Sequence, residues 1–345
     1  MKLLGKGSYG KVYSENNNAI KKFSSLKYII QEYGMLIYLR DSKYIVECND
    51  VNFNELSLSM ELYDMNLYNF IEEVNLNKKL KYKITQQILY GVIEIHDRNL
   101  VHGDIKLHNI LVKKSPLKIA IGDCGFVSFS KYSKVDLTTP TYRDPKVIAS
   151  TSHDIFSFGI CLFEIFGGKK IIKPCSYNEL INYTNLNIKD EKIKNILYNI
   201  FNRNINKRFN AREIYQLLFN EKCNNTVKHI ELNYEIIYKK IRSETNDKVF
   251  KSLLTLFLFY KNKFDINRSK KGLFACLYYI NKYKCKNFKV VGLGTIYILI
   301  SFFKCVNFNH SKMEQHIKHI CTFNEIKYVI YSLINDNEYM KLIMS

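Results

Sequence analysis

A glycine-rich segment near the start of the chain has the spacing of a phosphate-binding loop. Its glycines are Gly5, Gly7 and Gly10. Residues without a Cβ let the backbone approach a phosphate closely. The same spacing occurs in dinucleotide-binding folds, where a strand leads through the glycines into a helix. Here Lys11–Tyr13 has the composition of a second strand. We therefore predict a strand-turn-strand hairpin that lies over the phosphates of a nucleotide.

Charged residues follow the glycines in an order that suits phosphate chemistry. Lys21 lies in a short strand predicted at Ala19–Phe23, and Glu32 lies on a helix predicted at Leu26–Arg40. Farther along, Asp104 and Asp123 lie in a loop-rich stretch. A single Asp in a loop is usually a turn or cap residue, and a single Lys on a strand is usually only solvated. The joint order of these residues therefore carries the signal.

That order resembles the signature set of the eukaryotic-type protein kinases. The matching segments, in chain order, are Gly5–Val12, Ala19–Lys21, Glu32, Val101–Asn109, Asp123–Gly125, Thr139–Lys146, Ser152–Gly159 and Asn206–Phe209. The resemblance covers about residues 1–220. It implies an α+β fold with a small β-rich lobe and a large helical lobe. It also implies the cofactors ATP and Mg²⁺ and a protein substrate.

The resemblance assigns roles to the charged residues. Phosphoryl transfer depends on positioning and on charge neutralisation around the transferred group. Asp104 would orient the hydroxyl group of the substrate, and Lys106 would stabilise charge on the γ-phosphate. Lys21, paired with Glu32, would hold the α- and β-phosphates. A lysine at the position of Lys106 is typical of Ser/Thr kinases, so the resemblance implies an active kinase of that class.

The resemblance also implies where the metal and the adenine bind. Asn109 and Asp123 would hold Mg²⁺, a hard cation that prefers oxygen ligands. The adenine would lie in an apolar pocket beside the hinge between the lobes. Its predicted residues are Leu4, Val12, Ala19 and Leu111 as walls, Met60 at the back, and Glu61 and Leu62 as sources of backbone groups.

Three positions depart from the family pattern. Gly103 makes a His-Gly-Asp variant, because the residue before the catalytic aspartate is usually an arginine that pairs with a phosphorylated activation loop. Cys124 replaces the phenylalanine of Asp-Phe-Gly. Lys146 replaces a glutamate whose partner would be Arg208, so these two cations should repel unless another carboxylate intervenes. None of the three departures removes a group that would touch ATP or metal. The alternative to an active kinase is a pseudokinase or scaffold with a basic protein- or nucleic-acid-binding domain.

The rest of the chain predicts a second, all-α domain at residues 227–345, after a polar boundary at Asn220–Thr226. Leu273–Tyr283 and Phe288–Thr295 resemble the first helices of a cyclin box, and Phe323–Asn335 would supply another. Some other helical bundle is the alternative. A cyclin-like domain would contact the kinase lobe and hold the helix of Glu32 inward. Because Gly103 cannot pair with a phosphate, we expect activity without phosphorylation of the activation loop, whose hydroxyls are Ser128, Ser130, Tyr132 and Ser133.

Histidines and cysteines cluster near the end of the chain. They are Cys305, His310, His316, His319 and Cys321. His316 and His319 are three residues apart and could share one face of a helix, as zinc ligands do. The overall spacing matches no zinc module, however. Histidines on the surface of a helix are therefore the preferred interpretation, and no metal beyond Mg²⁺ is predicted.

Bulk composition limits the remaining possibilities. The formal net charge is +20, from 52 basic and 32 acidic residues, which suits nucleic acid or acidic partners but also a simple bias toward Lys and Asn codons. Nine cysteines without a Cys-x-x-Cys pair indicate a reducing compartment, cytoplasmic or nuclear. The apolar run Val290–Phe303 is shorter than the ~20 residues of a bilayer span. It predicts a buried helix, and we expect no membrane span.

Overall fold

The computed structural model describes most of the chain in separate stretches. They are residues 1–7, 10–129, 139–146, 150–221, 223, 249, 253, 256–257, 266–285, 287–302 and 321–344. The stretches up to residue 221 form a small β-rich lobe and a large, mostly helical lobe, as an α+β fold does, and the stretches from residue 266 onward are helical.

A five-stranded antiparallel sheet forms the small lobe, in the order β1-β2-β3-β5-β4. Its strands are β1 (Lys2–Lys6), β2 (Gly10–Glu15), β3 (Asn18–Phe23), β4 (Cys48–Asn52) and β5 (Ser57–Glu61). Asn16 and Asn17 connect β2 to β3 with φ of 47° and 63°, as a two-residue type I′ turn requires. Because side chains alternate along a strand, Ala19 and Lys21 share the buried face of β3.

Helix α1 (Leu26–Tyr38) connects β3 to β4 and carries Glu32. The predicted helix extends to Arg40, whereas the observed one ends at Tyr38 because Leu39 leaves the helical conformation with ψ of 6°. Apolar residues occur on more than one side of this helix. A helix with that pattern must be covered on more than one side.

Among the described residues of the large lobe there are six α-helices and five short strands. The helices are α2 (Leu67–Glu73), α3 (Lys78–His96), α4 (Thr151–Gly167), α5 (Tyr177–Asn187), α6 (Glu191–Ile200) and α7 (Ala211–Phe219). The strands are β6 (Met65–Asn66), β7 (Leu100–Val101), β8 (Ile110–Lys114), β9 (Leu117–Ile121) and β10 (Ser128–Phe129). Thirteen of the 17 residues of α4 are buried, so this helix forms the centre of the lobe.

Two small antiparallel sheets place the catalytic loop at the top of the large lobe. Strands β6, β8 and β9 form one sheet, and β7 and β10 form the other. The loop runs from β7 to β8, with a 3₁₀ turn at Leu107–Asn109. A second 3₁₀ turn, Cys124–Phe126, follows β9. The two turns therefore lie side by side under the small lobe.

Four further helices are described beyond the large lobe. They are α8 (Ile266–Tyr283), α9 (Phe288–Phe302), α10 (Phe323–Asn335) and α11 (Asn337–Met344). Helix α9 packs against α8 and α10, and every residue from Val290 to Leu299 is buried. The predicted buried helix is therefore present. Within the described part of the chain, no helix has the length and apolarity needed to cross a bilayer.

Parts of the sequence predictions for this region stay predictions. The domain limits 227–345 and most of the boundary Asn220–Thr226 fall on residues outside those that the structure describes. The cluster of histidines and cysteines near the end of the chain also lies largely outside the described residues, and only its member Cys321 is described. The helical character of the described part fits the expectation. Its resemblance to a cyclin box stays a prediction.

Candidate active site

The ammonium group of Lys21 lies between two carboxylates. Its Nζ atom is 2.6 Å from Oε2 and 2.9 Å from Oε1 of Glu32, and 2.6 Å from Oδ1 of Asp123. Strand β3, helix α1 and the turn after β9 supply these three side chains. The structure therefore brings together three of the predicted site residues, and α1 lies close against the small-lobe sheet.

Burial and charge set the protonation of this group. Burial has the largest influence on the pKa of Glu32 and raises it. The charge of Lys21 lowers this pKa and the charge of Asp123 raises it, so that the pKa of Glu32 lies at about 7. Burial also acts upward on Asp123, but the charge and hydrogen bond of Lys21 outweigh it and lower the pKa. Burial alone would lower the pKa of Lys21, yet the two facing carboxylates raise it. Lys21 is therefore the permanent cation of the cleft.

Asp154 on α4 fixes the backbone of the catalytic loop. Its carboxylate accepts hydrogen bonds from the backbone N–H groups of His102, at 2.7 Å, and Gly103, at 2.9 Å. It also lies 3.0 Å from Nε2 of His96. Asp154 is fully buried, which by itself raises its pKa, but these hydrogen bonds and the nearby histidines lower the pKa below its ordinary value. A permanent buried anion thus holds the loop that carries Asp104.

Asp104 lies at the centre of a hydrogen-bond network. Lys106 donates to its Oδ2 at 2.6 Å, and the Nδ2 of Asn109 donates to the same oxygen at 2.9 Å. The hydroxyl of Thr139 donates to Oδ1 at 2.8 Å. These three donors fix the orientation of the Asp104 carboxylate, whose oxygens are hydrogen-bond acceptors.

Thr139 is a site residue that the sequence interpretation missed. Its Oγ1 bridges Oδ1 of Asp104 and Nζ of Lys106, at 2.8 Å from each. The motif Thr139–Lys146 was assigned as a whole, without a role for its first hydroxyl. A signal was available, because Ser and Thr are the small residues that can both donate and accept. The contact spans 35 residues of sequence, so local spacing could not reveal it.

The residues predicted to bind Mg²⁺ suit a hard cation. Asp123 contributes a carboxylate, and it adopts the left-handed conformation with φ and ψ both 57°. A residue other than glycine in this region stores strain and often marks a functional site. Asn109 donates through Nδ2 to the backbone oxygen and the side chain of Asp104, so its Oδ1 is the atom that would face a metal. Oxygen ligands of this kind are those that Mg²⁺ prefers.

The glycine-rich hairpin has free space where phosphates would lie. A Cβ at Gly5 would contact nothing within 4 Å, and one at Gly7 would come no closer than 3.9 Å to another atom. Packing of the protein does not require either glycine, so the backbone there is open to close approach by a ligand. Gly10 differs, because a Cβ there would lie 2.2 Å from the carbonyl oxygen of Lys22. The hairpin thus fits a nucleotide through its first two glycines.

The predicted adenine pocket combines both lobes. Leu4 on β1 is half exposed, Val12 on β2 is half buried, and Ala19 pairs with Met60 between β3 and β5. Leu111 lies on β8, in the sheet of the large lobe. These apolar side chains come from two different sheets. Their grouping around an adenine stays a prediction.

The hinge is stabilised by Glu61. Its carboxylate pairs with Lys113 at 2.6 Å and Lys118 at 2.7 Å, and it accepts a hydrogen bond from the hydroxyl of Tyr63. Burial raises the pKa of Glu61, but these donors lower it to about 2. The Glu61 N–H donates to the carbonyl of Glu47, so this predicted hinge donor is committed to the small lobe. Leu62 follows it, half buried.

The structure also places the three departures from the family pattern. Gly103 has φ of +81°, a conformation that favours glycine. Cys124 is fully buried next to α1, and burial raises the pKa of its thiol well above the ordinary value. Beside it, a Cβ at Gly125 would lie 3.0 Å from Oε2 of Glu32. The small residues thus let α1 approach the turn closely. Of the predicted loop hydroxyls, Ser128 belongs to β10, and Ser130, Tyr132 and Ser133 lie outside the described residues.

The expected repulsion between Lys146 and Arg208 is avoided by another carboxylate. The guanidinium of Arg208 forms a buried ion pair with Asp144, two residues before Lys146. The hydroxyl of Tyr177 and the backbone N–H of Lys146 also donate to Asp144. Burial alone raises the pKa of Asp144, but Arg208 and these hydrogen bonds lower it. Lys146 itself is exposed. Arg208 thus pairs with a carboxylate that lies two positions before Lys146, where the family pattern has its glutamate.

Several known kinases are similar to the chain. A protein named as a serine/threonine-protein kinase from Acanthamoeba polyphaga mimivirus is 28% identical over 205 residues, covering 52% of this chain and 37% of that protein. Cyclin-dependent kinase B2-1 of Oryza sativa subsp. japonica is 27% identical over 195 residues, 46% of this chain and 59% of the relative. Dual specificity tyrosine-phosphorylation-regulated kinase 3 of Macaca fascicularis is 26% identical over 200 residues, 50% of this chain and 35% of the relative.

These matches span between about a third and three fifths of the lengths of the relatives. The family model described as "Protein kinase domain" matches residues 1–220 of the chain. That region holds the Lys21 cluster, the Asp104 network and both lobes of the fold. The chain belongs to the protein kinase family.

Proposed function

We propose that the protein transfers the γ-phosphate of ATP to Ser and Thr hydroxyls of a protein substrate. The observation that carries this proposal is the Asp104 carboxylate, which accepts hydrogen bonds from Lys106, Asn109 and Thr139. An ionised carboxylate held in this way can accept or orient the proton of a substrate hydroxyl. The Lys21–Glu32 pair supports the same proposal, because it places a cation where phosphates would bind.

Each residue has a task in the transfer. Lys21 binds phosphate oxygens and Glu32 keeps its ammonium group in place. Asp104 orients the attacking hydroxyl, while Lys106 balances the negative charge that gathers around the transferred group. Mg²⁺ held by Asn109 and Asp123 would neutralise phosphate charge. In this proposal, the hydroxyl of Thr139 holds the side chains of Asp104 and Lys106 in fixed positions relative to each other.

Wild-type protein with Mg-ATP and a mixed protein substrate is expected to give phosphoserine and phosphothreonine and little phosphotyrosine. The measurement is incorporation of radiolabelled phosphate, followed by phosphoamino acid analysis. Phosphotyrosine as a main product would contradict the Ser/Thr assignment. The phosphotyrosine measurement is informative because one of the similar proteins is named as a dual specificity kinase.

A kinase-shaped scaffold without activity is the competing proposal. It is supported by the small buried Cys124, which replaces the phenylalanine of Asp-Phe-Gly, and by the net charge of +20. A nucleotide that binds only the folded state raises its melting temperature. A melting shift with Mg-ATP but no incorporation of phosphate would favour the scaffold. Salt-sensitive retention of the full chain on DNA would add a nucleic-acid role.

Exchange of Thr139 for valine is expected to lower kcat about 10- to 100-fold, the effect of losing about one hydrogen bond to a charged group, worth about 1.5–3 kcal/mol. The variant keeps the shape of the side chain but loses the hydroxyl, while the backbone N–H of residue 139 still donates to Asp104. The effect should fall on kcat, since Thr139 contacts Asp104 and Lys106. The control is Thr139→Ser, which keeps the hydroxyl. If both variants matched the wild type, the positioning role of Thr139 would be refuted.

A further inference from the structure

Helix α1 is buried on two opposite sides. All eight residues from Ile29 to Leu36 are buried, whereas a helix on the surface of a lobe normally shows a polar stripe. One side contacts the small-lobe sheet and the Cys124–Phe126 turn. The other side contacts α9, α10 and α11. The helix that carries Glu32 therefore lies between the kinase and the C-terminal helices.

An aromatic cluster forms the centre of the outer contact. The buried Tyr33 ring stacks on Tyr331 of α10 with centroids 6.5 Å apart and an interplanar angle of 7°. Phe53, in the loop after β4, meets both rings edge-on, at 5.8 and 6.5 Å. The hydroxyl of Tyr33 donates to Oδ1 of Asn335 at 2.9 Å. Burial raises the pKa of Tyr33, so this hydroxyl stays a hydrogen-bond donor.

Polar contacts extend the outer contact beyond the cluster. Arg40, just past the end of α1, donates to Oδ1 of Asn337. Lys327 of α10 donates to Oδ1 of Asn54 at 3.1 Å. The contact therefore covers the outer face of α1, its C-terminal end and the loop between β4 and β5. A separate protein that needed this face would find it covered.

Glu32 and Tyr33 transmit this contact to the cleft. Consecutive helical residues point about 100° apart, so Glu32 reaches inward to Lys21 while Tyr33 reaches outward. A shift of α1 away from the sheet would separate Glu32 from Lys21 and would press Tyr33 into α10. We propose that α9, α10 and α11 act as a built-in binding partner that holds α1, and hence Glu32, against Lys21. Tyr331 and Asn335 are positioning residues in this proposal, and its catalytic consequence rests on the proposed function.

The test compares substitutions on α10 in the full chain by hydrogen exchange of the α1 amides. Tyr331→Ala is expected to speed exchange of α1 about 2- to 10-fold, the range expected for loss of one aromatic pair. Tyr331→Phe keeps the stack and should match the wild type. The matched control is Tyr328→Ala on the same helix, because Tyr328 is 73% exposed against 41% for Tyr331. Unchanged exchange in Tyr331→Ala, or equal acceleration throughout the chain, would overturn the proposal.

An activity arm separates this inference from the proposed function. In the double variant Tyr331→Ala/Asn335→Ala, phosphotransfer should be lost at a lower temperature than the large lobe unfolds, whereas in the wild type the two midpoints coincide. Coincident midpoints in the double variant, despite faster exchange of α1, would overturn the link to Glu32. If the wild type transfers no phosphate, the proposed function fails. The exchange arm then decides the inference alone.

Discussion

Exchange of Asp104 for asparagine is expected to reduce kcat for phosphotransfer about 10²- to 10⁴-fold, the usual contribution of a general base or hydroxyl-orienting group. Asparagine has nearly the same shape, but it cannot accept a proton and carries no charge to orient the hydroxyl. The KM for ATP should change little, because Asp104 contacts Lys106, Asn109 and Thr139 rather than the glycine-rich hairpin. Initial rates with radiolabelled ATP measure both constants.

Two controls make this result interpretable. Asp41→Asn removes a carboxylate at an exposed turn and should leave the rate unchanged. The melting shift of Asp104→Asn with Mg-ATP should match that of the wild type, which shows that the fold and the nucleotide site survive. A variant that retains the rate of the wild type would remove Asp104 from the mechanism.

The second large effect concerns stability. Asp144→Asn is expected to destabilise the protein by about 3–5 kcal/mol, because it leaves the Arg208 guanidinium buried without its anion. For a lobe of this size the loss corresponds to a fall in melting temperature on the order of 10 °C. Thermal unfolding followed by circular dichroism measures it. Lys146→Ala serves as the control, because Lys146 is exposed and should give a shift near zero.

The pH dependence of this effect has a definite sign. The pKa of Asp144 is lower in the folded state than its ordinary value, so its stabilising contribution is complete above the unfolded pKa of about 3.9. The contribution is lost as the pH falls through the lower folded pKa. The gap in melting temperature between wild type and Asp144→Asn should therefore be constant near neutral pH and shrink below about pH 4. A gap of the same size at pH 3 and pH 7, or a large effect of Lys146→Ala, would contradict the assignment of Asp144 as the partner.

The sequence is sufficient for the parts of the site that lie in short continuous segments. Asp104, Lys106 and Asn109 belong to one loop whose spacing fixes their relative positions, and their neighbourhood follows from the motif. Lys21 and Glu32 are also predictable, because strand alternation and helix phase each leave few choices. The lobes follow from the same order of strands and helices.

Contacts between distant segments are not predictable in this way. Asp144 replaces the missing acidic partner of Arg208 across 64 residues, and no local pattern distinguishes it from an ordinary loop aspartate. Thr139 donates to Asp104 across 35 residues of sequence, and no local pattern predicts that contact. The stacking of Tyr331 on Tyr33 depends on how two folded units meet. Such choices are made by packing and desolvation, which act only once the chain is compact.

The bond between Tyr33 and Asn335 joins residues that are 302 positions apart. Ribosomes add about 5–20 residues per second, so roughly 15 to 60 s separate the synthesis of the two partners. During that interval the small-lobe sheet can form, because its strands pair over short distances. The outer side of α1 nevertheless has nothing to pack against. A nascent chain therefore carries Lys21 and Glu32 long before α10 and α11 can cover the outer side of α1. Under the proposed role of these helices, Glu32 is held against Lys21 only after they have been synthesised.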